Sequence, residues 1–344
     1  MFFASDNSGP VHPKIMQHLA QANEGYAMPY GRDPIMDGVR TRLREIFEAP
    51  DAAVYLVATG TAANALALAC YTQPYQTVFC SEISHIEEDE CNAPEFYSGG
   101  AKLTLIHTDN KMTTEALRKA IERRSGDNVH MAQAGPVSIT QVTERGSVHS
   151  LDELRALTAV ARDAGLPVHL DGARFANALV SLGCSPAEMT WKSGVDVVSF
   201  GGTKNGCMGV EAVIFFDPAK AWEFELRRKR AAHLFSKHRY LSAQMAGYLE
   251  DDLWLDMARA ANTACARLVE GLRARGAEIL HNPDANMIYA AFPRATHKKL
   301  QAAGAKYYPM SDVENGPDEE MVAARMVCDW SMTTDNIDRF LAHF

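Results

Sequence analysis

Apolar and polar positions alternate along the first two thirds of the chain in blocks of two lengths. Short β-prone runs at 54–57, 77–80, 102–106, 137–141, 168–170, 195–200 and 211–216 predict strands. Longer segments with helical character lie between them. Residues 62–69 form an alanine- and leucine-rich run. Leu117 and Ile121 stand four apart within 113–124, and 150–164 opens on Ser150 and Glu153, the spacing of a capping box. Strands alternating with helices of this length predict βαβ units around a mostly parallel sheet. From Pro218 the pattern turns helical and carries the basic run Arg227-Arg228-Lys229-Arg230, which reads as a solvated helix face. A helix over 253–275 and short strands near 286–292 and 325–327 follow. The expected division is a large α/β domain over 1–246 and a smaller C-terminal α+β domain over 247–344.

Composition narrows the class. With 47% hydrophobic and 22% charged residues over 344 positions, the chain reads as globular, long enough to bury a large core without staples. A net charge of −9 argues against a nucleic-acid partner, which needs a basic field. No apolar run is long enough to span a membrane. The start, Met1-Phe2-Phe3-Ala4-Ser5-Asp6, lacks the basic and apolar regions of a secretory signal, so a cytoplasmic protein is expected. The seven cysteines form no C-x-x-C pair, which fits reduced thiols, and His85 and Cys91 have no second ligand pair beside them, so no metal site is expected.

Three motifs fall at predicted strand ends, where ligands bind in open α/β sheets. In Thr59-Gly60-Thr61-Ala62-Ala63-Asn64, Gly60 allows close approach and the following helix offers free N–H groups, a combination that suits a phosphate. An ordinary strand-to-helix turn has the same pattern. It is neither a P-loop nor G-x-G-x-x-G. In His169-Leu170-Asp171-Gly172-Ala173-Arg174, a carboxylate at the end of a buried strand requires a cationic partner, either a pyridinium nitrogen or Arg174 itself. In Ser199-Phe200-Gly201-Gly202-Thr203-Lys204-Asn205-Gly206, glycines leave little bulk around a lysine whose amine, once desolvated, suits Schiff-base chemistry. A surface lysine is the plainer alternative. Phosphate cradle, ring-nitrogen partner and lysine together are the parts a pyridoxal phosphate (PLP) site needs.

With these motifs, Ser81-Glu82-Ile83-Ser84-His85-Ile86 resembles the threonine aldolase / β-eliminating lyase family of fold type I PLP enzymes. So do Phe3-Ala4-Ser5-Asp6-Asn7, Tyr30-Gly31-Arg32-Asp33 and Ala324-Arg325-Met326-Val327-Cys328, and the likeness extends over essentially the whole chain. The resemblance implies a fold type I sheet domain with a smaller C-terminal domain. It implies that Lys204 joins PLP as a Schiff base, Asp171 pairs with the pyridinium nitrogen, His85 stacks on the ring, and Gly60 and Thr61 hold the phosphate. Arg174 would lie near the cofactor phenolate or the substrate carboxylate, and Ser5 and Arg325 would bind that carboxylate. Tyr30 and Asp33 would line the site, and Arg239 would reach a phosphate from a neighbouring chain, as in a homodimer or homotetramer with shared active sites.

The implied reaction is retro-aldol cleavage of L-threonine, L-allo-threonine or related β-hydroxy-α-amino acids such as phenylserine to glycine and an aldehyde. His85, or a water it holds, is a candidate base. Other fold type I PLP chemistry, β-elimination or transamination, stands as the alternative. A nicotinamide-dependent enzyme and a non-catalytic relative are more distant ones.

Two departures stand out. Where much of the family has Thr-His-Asn, this chain reads Gln141-Val142-Thr143-Glu144-Arg145-Gly146, the pattern of a bacterial low-specificity and phenylserine-cleaving branch, so the histidine associated with the β-hydroxyl is absent. Arg32 stands where an acidic residue is usual. The acidic run Glu87-Glu88-Asp89-Glu90 is expected to be exposed, with one or two carboxylates at the site entrance.

Overall fold

The computed structural model describes every residue except Asp127. Seven strands form the central sheet: β1 (Ala53–Val57), β2 (Gln76–Ser81), β3 (Lys102–Ile106), β4 (Gln133–Thr140), β5 (Val168–Gly172), β6 (Val197–Gly201) and β7 (Glu211–Phe215). Their spatial order is β1-β7-β6-β5-β4-β2-β3. The run from β6 to β3 is parallel, whereas β7 is antiparallel to both of its neighbours. Every residue of β1, β5, β6 and β7 is buried, as expected of strands covered on both faces, and this is why they read as continuous apolar runs.

Helices α1 (Pro13–Ala22), α2 (Pro34–Ile46), α3 (Gly60–Ala69) and the single turn α4 (His85–Glu88) flank the first strands. Helix α3 is sealed from Ala62 to Ala69, with Asn64 the one polar residue in that stretch. It starts at Gly60, where Thr59 Oγ1 accepts from the Ala62 amide at 3.2 Å. The expected capping box at Ser150 and Glu153 is present, with both of its hydrogen bonds.

A second, antiparallel sheet has the order β10-β11-β9-β8, formed by β8 (Glu278–Ile279), β9 (Met287–Pro293), β10 (Tyr308–Pro309) and β11 (Met321–Val327). The helix Leu253–Arg273 joins the two cores. Trp254, Met257 and Ala258 pack into the first core, and Cys265, Leu268 and Leu272 into the second. The N-terminal segment also belongs to the second core. The Phe3 amide donates to the Lys306 carbonyl at 2.7 Å, the Phe3 carbonyl accepts from the Val327 amide at 2.8 Å, and its ring packs 4.8 Å from Phe340.

The basic run 227–230 is only partly a solvated face. Arg228 is buried: Nη1 donates to the Leu56 carbonyl at 3.1 Å, Nη2 to Glu225 at 2.8 Å, and the guanidinium covers the Tyr55 ring. A guanidinium is tolerated there because neighbouring acceptors and an aromatic face replace part of its hydration.

Candidate active site

A cavity of about 400 Å³ opens at the carboxyl ends of the parallel strands. Thr59 to Thr61 line it after β1, Thr140 and Glu144 at the end of β4, Asp171, Ala173 and Arg174 at the end of β5, and Thr203 and Lys204 after β6. His85 enters from the start of α4. Lys204 sits in the tight turn Thr203–Asn205. Two glycines permit that turn. A Cβ on Gly201 would lie 2.4 Å from the Ala173 carbonyl oxygen, and Gly206 adopts a φ of 98°, where a Cβ would meet Met257. Burial pulls the Lys204 amine below its usual range, and the nearby Arg174 guanidinium adds to the effect. A lowered pKa favours the neutral, nucleophilic amine.

Asp171 is held from two directions. Asn64 donates to Oδ2 at 2.9 Å, and the Ala173 amide to Oδ1 at 3.0 Å. The same Asn64 nitrogen donates to Glu90 Oε1 at 2.9 Å, and that oxygen lies 2.8 Å from His85 Nδ1. Glu90 therefore leaves the expected exposed run and is buried, whereas Glu87, Glu88 and Asp89 are exposed and Asp89 lines the cavity. The hydrogen bond to Glu90 raises the His85 pKa against the opposing pull of burial.

Arg174 does not pair with Asp171. Its Nε and Nη2 donate to the two oxygens of Asp6 at 2.7 and 2.9 Å. Asp6 is buried, and Asn286 also donates to it, at 3.2 Å. Burial alone would raise its pKa; Arg174 and Lys204 outweigh that and hold the carboxyl below its ordinary range. Ser5 Oγ accepts from the Asn7 amide at 3.1 Å and caps the turn Asp6–Ser8, which brings Asp6 to Arg174 and Asn7 into the cavity wall.

Two further carboxyls line the cavity. Glu144 Oε1 accepts from Thr140 Oγ1 at 2.8 Å and from the His85 amide at 2.9 Å. Glu211 Oε2 accepts from the Gly202 amide at 2.8 Å, beneath the Lys204 turn. Burial pushes both carboxyls up to about 7.

The cavity thus brings together six of the expected residues, namely Gly60, Thr61, His85, Asp171, Arg174 and Lys204. Ser5 and Arg325 are not among its lining residues; Arg325 Nη2 donates to the Ala4 carbonyl at 3.2 Å and the guanidinium covers Tyr308. Tyr30 lies away from it with Lys229 over its ring, and Arg239 donates to the Gly25 carbonyl. Asp33 is a buried N-cap of α2, accepting from the Met36 amide at 3.0 Å. Burial raises the Cys207 thiol pKa well above its usual range, so it stays protonated. Sequence reasoning assigned no role to Asn64 or Glu211. A polar residue inside the apolar run 62–69, and an acidic one opening the apolar run 211–216, are the signals that mark them.

These residues fit PLP. Asp171 is a buried carboxylate with no ion-pair partner among the described residues, since Arg174 is taken by Asp6, and a pyridinium N–H answers that need. A Cβ on Gly60 would meet nothing within 4 Å. The Gly60 and Thr61 amides precede the first ladder bond of α3, from Ala63 to Thr59, so they are available to a phosphate.

Comparison with known proteins agrees. The β-eliminating lyase family model matches residues 3–293. The low specificity L-threonine aldolase of Pseudomonas aeruginosa is 41% identical over 338 residues, covering 97% of this chain and 94% of that protein. That of a Pseudomonas species is 40% identical, covering 95% and 92%. Among solved structures, the Leishmania major threonine aldolase superposes with a TM-score of 0.92 at 26% identity, covering 99% of this chain and 97% of that one. The serine palmitoyltransferase of Sphingomonas wittichii, at 16% identity and a TM-score of 0.71, shares the fold. The chain belongs to the β-eliminating lyase family, as a PLP-dependent lyase of the threonine aldolase group.

Proposed function

We propose that the chain cleaves L-threonine, L-allo-threonine and related β-hydroxy-α-amino acids such as phenylserine to glycine and an aldehyde. The observation that carries this reading is the meeting of Lys204, Asp171 and His85 in one cavity at the strand ends. PLP, when bound, supplies an electron sink for the pair left on Cα when the Cα–Cβ bond breaks.

Lys204 would hold the cofactor, Asp171 would keep its ring nitrogen protonated, and Gly60 and Thr61 would bind its phosphate. His85, tied to Glu90, would cover its ring face. Asp6 engages Nε and Nη2 of Arg174, which leaves Nη1 as the donor for the substrate carboxylate. Arg325 keeps a buried Nε with no partner among the described residues, and with Ser5 it would complete the carboxylate pocket as the substrate settles. Anchoring the carboxylate would fix how the substituents of Cα are oriented, and so which bond breaks.

Tyr30 and Arg239 act from a neighbouring subunit in a homodimer or homotetramer. Supporting this, Tyr26, Met28, Tyr30 and Phe235 are exposed apolar side chains, and the Tyr30 amide bonds to the Ser236 carbonyl beside Phe235. No helix among the described residues is long and apolar enough to cross a membrane, and we place the enzyme in the cytoplasm.

Glycine and aldehyde release from L-threonine, L-allo-threonine and L-phenylserine tests the reaction. Borohydride should fix a pyridoxyl group to Lys204, and Lys204→Ala should abolish aldehyde release. Pyruvate formation or a requirement for a 2-oxo acid would replace the aldolase reading with β-elimination or transamination.

A further inference from the structure

The β-hydroxyl of the substrate must lose a proton as the Cα–Cβ bond breaks. Glu144 lines the cavity just beyond the end of β4. Its Oε1 is fixed by two donors of different elements, Thr140 Oγ1 on β4 and the His85 amide at the start of α4. No other described residue donates to its Oε2, which is not sealed, so that oxygen is open to the cavity that Glu144 lines. Glu211 differs, because its carboxylate anchors the Gly202 amide and so the lysine turn. His85 is a further group that could accept a proton. Its Nδ1 is committed to Glu90, and its ring is assigned to the cofactor face.

We propose that Glu144 is the acid–base residue for the β-hydroxyl, an inference that rests on the aldolase reading. In cleavage, the hydroxyl proton passes to Oε2. The O–H pair becomes the second bond of the aldehyde C=O. The Cα–Cβ pair stays on Cα, where bound PLP would supply the electron sink. Cα then takes up one proton to give glycine, and Glu144 releases its proton to water, so the count closes. In the synthetic direction Glu144 donates to the developing alkoxide.

Burial supports the assignment. It keeps the carboxyl protonated to about pH 7, where a proton acceptor and donor works best. The charged groups facing it across the cavity are His85, Asp89, Asp171, Arg174, Lys204 and Glu211.

Glu144→Gln keeps the carbonyl that accepts from Thr140 and His85 but cannot take a proton. In the PLP-loaded enzyme, aldehyde release from phenylserine should fall by ~100-fold or more. Exchange of the glycine α-proton into deuterated water, which involves no β-hydroxyl, should fall by less than about tenfold on the same reasoning. The acid limb of kcat near pH 7 should vanish in Glu144→Gln and persist in Glu144→Asp. Carbon-13 NMR of the protein without cofactor should show a carboxyl titrating near 7 that the substitution removes. Equal losses in cleavage and exchange, full cleavage by Glu144→Gln, or a Glu144 carboxyl titrating in the ordinary range would each overturn the proposal. A wild-type enzyme that exchanges glycine but cleaves no β-hydroxy amino acid would instead overturn the aldolase reading, and with it this step.

Discussion

Asp6 and Arg174, 168 positions apart, form a two-pronged ion pair at 2.7 and 2.9 Å, with the carboxylate buried. A guanidinium gripped along one edge cannot swing, so its remaining donor is aimed before any ligand arrives.

Asp6→Asn removes the charge and leaves Arg174 buried without its counter-ion. Breaking a buried pair in this way costs about 3–5 kcal/mol. Urea unfolding should show a loss of that order, and KM for the amino acid should rise ~10-fold or more, by roughly the 1.4 kcal/mol that one lost anchoring bond represents. An unchanged KM would mean that Arg174 does not bind the substrate.

Asn64→Ala deletes the donor shared by Asp171 and Glu90. Each lost hydrogen bond to a charged acceptor is worth about 1.5–3 kcal/mol. PLP affinity, measured by absorbance titration, should weaken by ~10-fold or more, and the cofactor's spectral pKa should shift because Asp171 is no longer oriented. A mere loss of thermal stability with unchanged PLP affinity would reduce Asn64 to a structural residue.

Glu90→Gln replaces the acceptor that raises the His85 pKa. Nitrogen-15 NMR should show His85 titrating at lower pH in the variant than in the wild type. A shift in the opposite direction would mean that Glu90 is protonated in the wild type.

Glu211 keeps its proton to about pH 7 when folded, against 4.5 ordinarily. Over that window the folded state binds more protons than the unfolded one, so this group's contribution to stability falls as pH rises from about 4.5 to about 7. Glu211→Gln should therefore be more stable than wild type above pH 8, by up to ~3 kcal/mol, and indistinguishable below pH 4. Thermal melts of the cofactor-free protein across that range measure it. A variant that gains nothing at high pH would show that Glu211 is ionised in the fold at neutral pH.

Much of this architecture is legible in the sequence, for reasons that particular elements make plain. Strands β5 and β6 lie in the middle of a covered sheet, so burial on both faces writes them as apolar runs, with Asp171 and the glycine turn of Lys204 marking where each meets the cavity. The two-residue strands β8 and β10 are too short to carry any period. The antiparallel course of β7 follows from the short return of residues 202–210, a feature that hydrophobic patterning does not encode. Glu90 looks like surface because its neighbours are, and only Asn64 and His85 folding over it turn it inward. Arg228 hides within a basic run for the same reason. Long-range partners, not local pattern, decide these positions.

The path of residues 3–6 has a consequence for the order of assembly. Asp6 leaves the ribosome 280 residues ahead of Asn286, which donates to it. Its neighbour Phe3 is held by Lys306 and Val327, which follow the whole central sheet in the chain. The central sheet can close around Lys204 and Asp171 long before Arg174 receives its counter-ion. The proposed carboxylate-binding half of the site is therefore completed only after residue 286 has emerged, and a nascent chain stalled before that point would present a cavity with an unrestrained Arg174.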